Sequence, residues 1–244
     1  MNTIRAGPPG GPDGHPAGRS IHPLTRAVIL AAALDIIDRE SVERLSMRHL
    51  GNRLGHDPAA LYRHATNKAA LLDGVTEFVF EQLTVDSTDP DWRRQLRLVA
   101  RDFRRLAIAH PHAVPLLVTR SLATPLGLRP PGTLRPLEHI LDLLTRADFS
   151  GGDALHIYRA LFGFLYGHVL NEVQEIVERP EETTDLLRLG LHHLPLTEFP
   201  LLRGLASQLA GYDGVTELER GLDTLLAGLD ITLAPATPRR MYPG

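Results

Sequence analysis

The segment LSMRHLGNRLGHDPAALYRHATNKAALLD, residues 45–73, contains the signals of short helices joined by tight turns. Ser46 and Asp57 are typical N-cap residues, and Pro58 suits the first position of a helix, where its missing N–H costs nothing. Gly55 favours the left-handed conformation that ends a helix. Two short helices joined by such a turn are typical of a helix-turn-helix, whose second helix enters the DNA major groove, although many other proteins share this layout.

Apolar residues at spacings of three and four extend the helical pattern on both sides and predict an all-α fold. Thr25 is expected to cap the first helix, the helix after Pro58 to run to about His64, and Thr66 to cap the fourth. The prolines between residues 111 and 131 are expected to separate helices. Further helices are predicted over residues 91–110, 133–147, 153–177 and 215–229, with two shorter ones in 181–208 broken near Pro195 and Pro200.

The composition excludes several classes of protein. The chain has 244 residues, of which 43% are hydrophobic and 23% charged, as in an ordinary globular protein. It contains no cysteine, which excludes disulfides, thiolate nucleophiles and cysteine-bound zinc and fits a cytoplasmic location. Its most apolar stretch, residues 155–177, carries too many polar groups for a membrane span, so no membrane partner is expected. Residues 1–22 and 235–244 are rich in glycine or proline and are predicted to be flexible tails.

Charge is distributed unevenly around the helix-turn-helix. Between residues 45 and 68 four basic residues accompany one acidic residue, whereas residues 69–91 contain acidic residues and no basic one. The basic set includes Lys68, the only lysine of the chain. Such a local positive surface is what binding to phosphates requires, although a solvated helix face would look the same.

Residues 24–73 resemble the N-terminal domain of the tetracycline-repressor (TetR) family of transcriptional regulators. The Leu61–Tyr62 pair, followed by His64 and NKAALLD, is the most specific part of the resemblance. The stretches DWRRQLRLVARDFRRLAIAHP and GFLYGHVLNE are similar to the C-terminal ligand domain of the tetracycline-repressor branch. The resemblance implies an all-α homodimer with two recognition helices, released from DNA when a small molecule binds its larger domain.

The same resemblance implies roles for individual residues. Those matching Tyr62 and Lys68 contact phosphates, the one matching Arg48 reaches a base edge, and His64 contacts the DNA backbone. Where the tetracycline repressor reads bases with glutamine, proline and threonine, this chain has Pro58 and two alanines, which can contact thymine methyl groups but form no side-chain hydrogen bonds, so a different operator is expected. The predicted DNA-binding residues are Ser46, Arg48, Ala59, Ala60, Tyr62, His64 and Lys68.

A ligand pocket is predicted in the larger domain. In the tetracycline repressor a histidine and a glutamate hold magnesium-bound drug, and they correspond approximately to Leu117 and Asn171, so tetracycline–magnesium is not the expected inducer. Phe103 matches an aromatic pocket residue, and its apolar neighbours favour a hydrophobic ligand, although core packing would need the same side chains. The predicted pocket residues are Phe103, Leu106, Leu117, Leu141, Tyr158, Phe162, His168 and Asn171.

Two features of the helix predicted over residues 153–177 leave alternatives open. His168 and Glu172 lie four residues apart and could form a metal pair, but no third ligand is identifiable, so a satisfied polar pair is favoured and no metal or other cofactor is expected. Its small residues, Ala160, Gly163 and Gly167, would let a second helix approach closely. The resemblance implies that this helix and the one at 215–229 form a dimer interface, whereas the alternative is packing within one subunit.

Together these observations predict a regulator with an N-terminal three-helix helix-turn-helix at residues 23–68 and a larger helical ligand-binding and dimerisation domain at 69–234. It is expected to repress transcription by binding a palindromic operator as a homodimer and to be released by a small hydrophobic molecule. The alternatives are a helical enzyme and a protein-binding module. An enzyme is disfavoured because the sequence has no glycine-rich phosphate loop, no G-x-S-x-G motif and no metal triad.

Overall fold

The computed structural model describes residues 24–123, 125–178 and 189–232. Within those ranges every regular element is helical and no strand occurs, which confirms the all-α fold class. The two predicted tails lie outside the described residues. Besides a helical stretch at 189–192, the α-helices are α1 (Arg26–Glu40), α2 (Met47–Leu54), α3 (Pro58–Leu61), α4 (Lys68–Phe80), α5 (Trp92–Ala109), α6 (Val114–Ala123), α7 (Pro131–Arg146), α8 (Gly151–Glu178), α9 (Pro200–Gly204), α10 (Ala206–Ala210) and α11 (Gly214–Thr232).

Local capping sets the ends of the first three helices, as the sequence predicts. The Thr25 hydroxyl accepts a hydrogen bond from the Val28 N–H at 3.3 Å, and the Ser46 hydroxyl accepts one from His49 at 3.1 Å. Gly55 ends α2 with a φ of 68°, in the left-handed region. The Asp57 carboxylate then accepts from the Ala59 N–H at 2.8 Å and caps α3.

Two boundaries differ from the prediction in this region. The α-helical part of α3 ends at Leu61, and residues 62–64 form a turn. Thr66 is not the cap of α4, because the helix begins at Lys68 and the Asn67 side chain accepts from the Ala70 N–H at 2.8 Å. Thr66 and Asn67 are both good capping residues, so local preference alone does not decide between them.

Several prolines of the described residues begin helices rather than separate them. Residues 111–113 form a 3₁₀ turn that leads into α6, a helix absent from the sequence prediction, with Pro115 in its first turn. Pro131 likewise begins α7 two residues before the expected start, and Pro200 begins α9. The first turn of a helix makes no use of its own N–H groups, so a proline there removes no hydrogen bond. Part of the predicted 181–208 pair lies outside the described residues.

α4 contacts helices from both parts of the chain. It packs against α1, α6 and α7, and α8 packs against α5, α6, α7 and α11. Gly74 permits the α1–α4 crossing, since a Cβ atom there would lie 2.8 Å from the Leu30 side chain. A cluster of buried apolar side chains continues from Ile29 in α1 to Leu229 in α11. No described helix is long and apolar enough to cross a membrane.

Candidate DNA-binding surface and ligand region

The outer side of α2 and α3 is open to solvent while the inner side is packed. Tyr62 is 50% exposed, whereas the neighbouring Leu61 is fully buried. Met47 and Leu50 in α2 are also buried and hold the helix against the core. Of the residues predicted to bind DNA, Ser46, Arg48, Ala59 and Tyr62 are exposed, and Ala60, His64 and Lys68 are partly buried. The predicted set therefore retains access to a partner outside the protein.

The angle between α2 and α3 depends on a glycine that the sequence analysis did not single out. A Cβ atom on Gly51 would lie 2.9 Å from the His56 carbonyl oxygen and 3.2 Å from the Pro58 ring. Any larger residue would push α3 away from α2, because the first of these atoms is backbone. A glycine inside an otherwise regular helix is the signal that could have identified this position.

Lys68 has partners within the protein. It lies at the start of α4, as predicted, and its ammonium donates to the carbonyl oxygens of Val42 at 2.9 Å and Glu43 at 3.4 Å. These contacts connect α4 to the loop between α1 and α2. The Ser41 hydroxyl, with a smaller contribution from Lys68, holds the pKa of the Glu43 carboxyl below its usual value. A lysine has three N–H donors, so a phosphate contact stays a prediction alongside this internal role.

Not every basic residue of the segment is available to a partner. Arg53 donates to Asp35 of α1, which also accepts from Arg39 at 2.7 Å. The hydrogen bond from Arg39 is the main reason why the pKa of the Asp35 carboxyl lies below its usual value. Arg48 and Arg63 are exposed and form no ion pair within the described ranges. The accessible positive charge of this surface is therefore concentrated on these two arginines.

Tyr158 and Phe162, two predicted ligand residues of α8, form an aromatic cluster with Phe103 of α5. The Phe103 ring of α5 lies 6.0 Å from Phe162 and 5.7 Å from Tyr166, and Tyr158 lies 4.7 Å from Phe162, measured between ring centroids. Phe80 completes the group at 6.1 Å from Phe103. Burial raises the pKa of the Tyr158 hydroxyl. Phe80 and Tyr166, which are not among the predicted ligand residues, extend the cluster.

The eight residues predicted as one pocket are not in one place. Phe103, Leu106 and Leu117 are buried in the core, and Leu141 packs against it. His168 and Asn171 instead line a groove of about 610 Å³ between α8 and α11. The other residues of this groove are Gly163, Phe164, Gly167, Tyr212, Glu217, Arg220, Gly221 and Thr224. The resemblance supplied Asn171 and the apolar pattern supplied Phe162, and these two residues lie on different sides of α8.

His168 and Glu172 belong to a polar cluster that joins three helices. Arg104 of α5 donates to both oxygens of the Glu172 carboxylate, through Nε at 2.9 Å and through Nη2. His168 Nε2 lies 3.5 Å from the same carboxylate. Burial lowers the pKa of the His168 imidazole, against the opposing influence of Glu172. The arginine supplies a bidentate partner for Glu172. His168 Nε2 is buried without a hydrogen-bond partner among the described residues, so the polar pair is satisfied at Glu172 but not at His168.

The small residues of α8 fall into two groups with different surroundings. A Cβ atom on Gly163 or Gly167 would meet no atom within 4 Å, so both glycines face open space within this chain. On α11, by contrast, a Cβ atom on Gly221 would lie 2.4 Å from the Phe164 ring. Gly221 therefore permits close packing inside the protomer, whereas Gly163 and Gly167 remain available to a second chain.

Comparisons with known proteins identify the family to which the chain belongs. The family model described as "Bacterial regulatory proteins, tetR family" matches residues 29–75, and the one described as "Tetracyclin repressor-like, C-terminal domain" matches residues 86–233. The second match alone spans more than half of the chain. The chain belongs to the TetR family of transcriptional regulators.

Relatives and solved structures agree with this assignment. An HTH-type transcriptional regulator from Saccharopolyspora erythraea is 30% identical over 212 residues, covering 86% of each chain. The class C tetracycline repressor of Escherichia coli is 30% identical over 215 residues, covering 85% of this chain and 91% of that protein. The structure of the Streptomyces coelicolor TetR-family protein ActR with actinorhodin has a TM-score of 0.72 at 30% identity, covering 85% of this chain and 97% of that one.

Membership of the TetR family confirms the predicted class of protein. Regulators of this family bind operator DNA as homodimers, respond to small molecules and are not enzymes. A helical enzyme and a protein-binding module are therefore not favoured. The exposed surface of α2 and α3 corresponds to the part of the chain that the N-terminal family description covers.

Two ion pairs that were not predicted from sequence join α5 to α11 in the larger part of this TetR-family chain. Arg97 and Arg101 of α5 donate to Asp223 at 2.5 Å and to Glu219 at 2.6 Å on α11. The hydrogen bond between Arg101 and Glu219 raises the pKa of the guanidinium and lowers that of the carboxyl. Both partners repeat every four residues on their own helices, which is the only local signal of this pairing.

Proposed function

We propose that the protein is a cytoplasmic repressor that binds a palindromic operator as a homodimer and is released by a hydrophobic small molecule. The observation that carries this proposal is the solvent-exposed outer side of α2 and α3, with Tyr62, Arg48 and Arg63 outside a packed inner side. Residues 23–68 are proposed as the DNA-binding domain and residues 69–234 as the ligand-binding and dimerisation domain. The predicted contacts Ser46, Arg48, Ala59, Ala60, Tyr62, His64 and Lys68 belong to the same proposal.

The surface of α8 and α11 supports a homodimer formed through these helices. Gly163 and Gly167 leave room for the backbone of another helix, and Leu170 is 37% exposed on the same helix. Val215, at the start of α11, is 52% exposed. Apolar side chains beside small residues on an exposed helical face suit association with a second copy.

The aromatic cluster around Phe103 and Phe162 supports an aromatic ligand. Five rings meet there with centroids between 4.7 and 6.1 Å apart, and aromatic side chains prefer aromatic partners in offset or edge-on geometry. The 30% identical ActR was solved with actinorhodin, so actinorhodin is a suitable first probe. Leu117, which corresponds approximately to a metal-binding histidine of the tetracycline repressor, is buried and apolar, so magnesium–tetracycline should act poorly.

Selection from a randomised duplex library tests the proposed DNA binding. The purified full chain should enrich two inverted half-sites whose centres lie about one helical turn, roughly 10 bp, apart or a multiple of it. Actinorhodin should then release the selected duplex, while magnesium–tetracycline at the same concentration should not. Enrichment of no duplex, or of a single unrepeated site, would contradict the proposal of a dimeric repressor.

A further inference from the structure

Glu77, in the second half of α4, is a buried carboxylate that the proposed DNA and ligand contacts do not use. Glu77 is only 7% exposed, although it belongs to an acidic stretch of sequence that would suit a solvated surface. A buried carboxylate is costly unless hydrogen bonds and opposite charge compensate it. The partners of Glu77 therefore indicate why a charge is retained at this position.

The two oxygens of Glu77 bind two different parts of the chain. Oε2 accepts from Nη2 of Arg26, in the first turn of α1, at 2.5 Å. Oε1 accepts from the backbone N–H of Gly132, in the first turn of α7, at 2.8 Å. The partners lie 51 residues before and 55 residues after Glu77. One carboxylate thus joins the first helix of the DNA-binding unit to a helix of the larger domain.

The start of α7 is built to receive this carboxylate. Pro130 precedes the helix and offers no side-chain cap, so the first N–H groups of α7 need acceptors from elsewhere. A negative charge at this end also interacts favourably with the helix dipole. A Cβ atom on Gly132 would lie 2.3 Å from Cγ of Glu77 and 2.7 Å from Oε1 of Glu81, so the approach requires glycine.

The position of Glu77 along the chain agrees with a connecting role. The match to the N-terminal family model ends at residue 75 and the match to the C-terminal one begins at residue 86, so Glu77 lies between the two matches. Gly74, one turn earlier in α4, is where Leu30 of α1 packs closely. Arg26 and Leu30 therefore attach α1 to the same face of α4 that carries Glu77.

We infer that Glu77 is a positioning residue that couples the orientation of α1, and with it the helix-turn-helix, to the first turn of α7. A displacement of that turn relative to α4 has to break the Gly132 hydrogen bond or carry Glu77 and Arg26 with it. Such coupling is reciprocal, so loosening either partner loosens the other. The consequence for operator binding rests on the proposed function, whereas the coupling itself is a property of the protein without DNA.

Amide hydrogen exchange on the full chain without DNA or ligand tests this coupling. In Glu77→Gln the amides of residues 26–30 and of residues 132–135 should both exchange about tenfold faster, since a charged hydrogen bond is lost at each end. Glu81→Gln is the matched control, because Glu81 directly follows α4, is exposed and binds Arg135 at 3.0 Å. This control should leave the amide exchange rates of residues 26–30 unchanged.

Arg26→Gln is the decisive variant. The Arg26 side chain is 51% exposed, so this variant should fold and can be measured even if Glu77→Gln folds poorly. It removes only the α1 partner, yet the coupling predicts faster exchange of the Gly132 amide as well. Acceleration confined to α1 in Arg26→Gln, or confined to α7 in Glu77→Gln, would overturn the inference. Failure to select any duplex would refute the proposed function and leave this exchange result unaffected.

Discussion

The helix-turn-helix and the larger bundle obtain their structure from interactions of different range. In the first, helices begin where Thr25, Ser46 and Asp57 bind N–H groups two or three residues further along the chain. In the second, Arg97 and Arg101 bind acidic residues 126 and 118 residues away. The DNA-binding unit can therefore be predicted from short stretches of sequence, whereas the geometry of the bundle depends on which helix faces which.

The largest effect is expected from the buried ion pair of the bundle. Arg104→Met leaves the Glu172 carboxylate buried without its bidentate partner and should lower the free energy of unfolding by about 3 kcal/mol. Urea unfolding at a fixed protein concentration measures this change. The neighbouring Arg105→Met is the control, because Arg105 is exposed and forms an i,i+3 ion pair with Asp102 at 3.2 Å, so its cost should stay below about 1 kcal/mol. Equal costs for the two variants would refute the dependence of the bundle on this pair.

Lys68 tests whether the DNA-binding unit contains a long-range contact of the same kind. Lys68→Met keeps most of the apolar stem but removes the donor to the Val42 and Glu43 carbonyls, and should cost about 1.5 kcal/mol of stability. Arg63→Met, on the exposed surface, should cost little. If Lys68→Met leaves stability unchanged but reduces the slope of log affinity against log salt by about two for the dimer, the lysine acts on phosphates alone.

The beginning of α4 provides a purely local comparison. Asn67→Ala removes the side chain that accepts from the Ala70 N–H and should cost about 1 kcal/mol. Thr66→Ala, one residue earlier, should change the unfolding free energy by less than about 0.5 kcal/mol, as expected for a surface position without a special contact. Thermal unfolding of both variants under identical conditions gives the comparison. A larger loss of stability in Thr66→Ala than in Asn67→Ala would show that Thr66 caps α4, as the sequence predicted.

The smallest effect concerns pH and His168. Because burial lowers the pKa of this imidazole below 6.5, the unfolded chain binds a proton at a pH where the folded chain does not. His168 should therefore reduce stability as the pH falls below about 6.5, by less than roughly 1 kcal/mol down to pH 5.5. Urea midpoints at several pH values should show a weaker loss in His168→Gln, whereas His156→Gln, exposed on the same helix, should behave like the parent.

The comparison also explains which predictions from sequence succeeded. The caps at Thr25, Ser46 and Asp57 and the glycine at 55 were predicted because each depends on residues within one turn. α6 was missed because Pro115 indicates a break unless it is already known to lie in a first turn.

The grouping of the ligand residues did not follow helical spacing. Nine residues at about 100° each place Phe162 and Asn171 on opposite sides of α8. Phe162 packs against Phe103 and Asn171 lines the groove beside α11, and the sequence does not show which side of α8 meets which helix. The Arg97–Asp223 pair likewise becomes visible only when α5 and α11 are seen side by side.

The central claim, that the exposed surface of α2 and α3 reads DNA sequence, is tested most directly by Arg48→Ala in fluorescence anisotropy. The measurement compares the selected duplex with a scrambled duplex of the same composition at the same salt concentration. Loss of a base contact should cost about 1–3 kcal/mol per half-site on the selected duplex and much less on the scrambled one. Equal weakening on both duplexes, or unchanged affinity for the selected one, would contradict the claim.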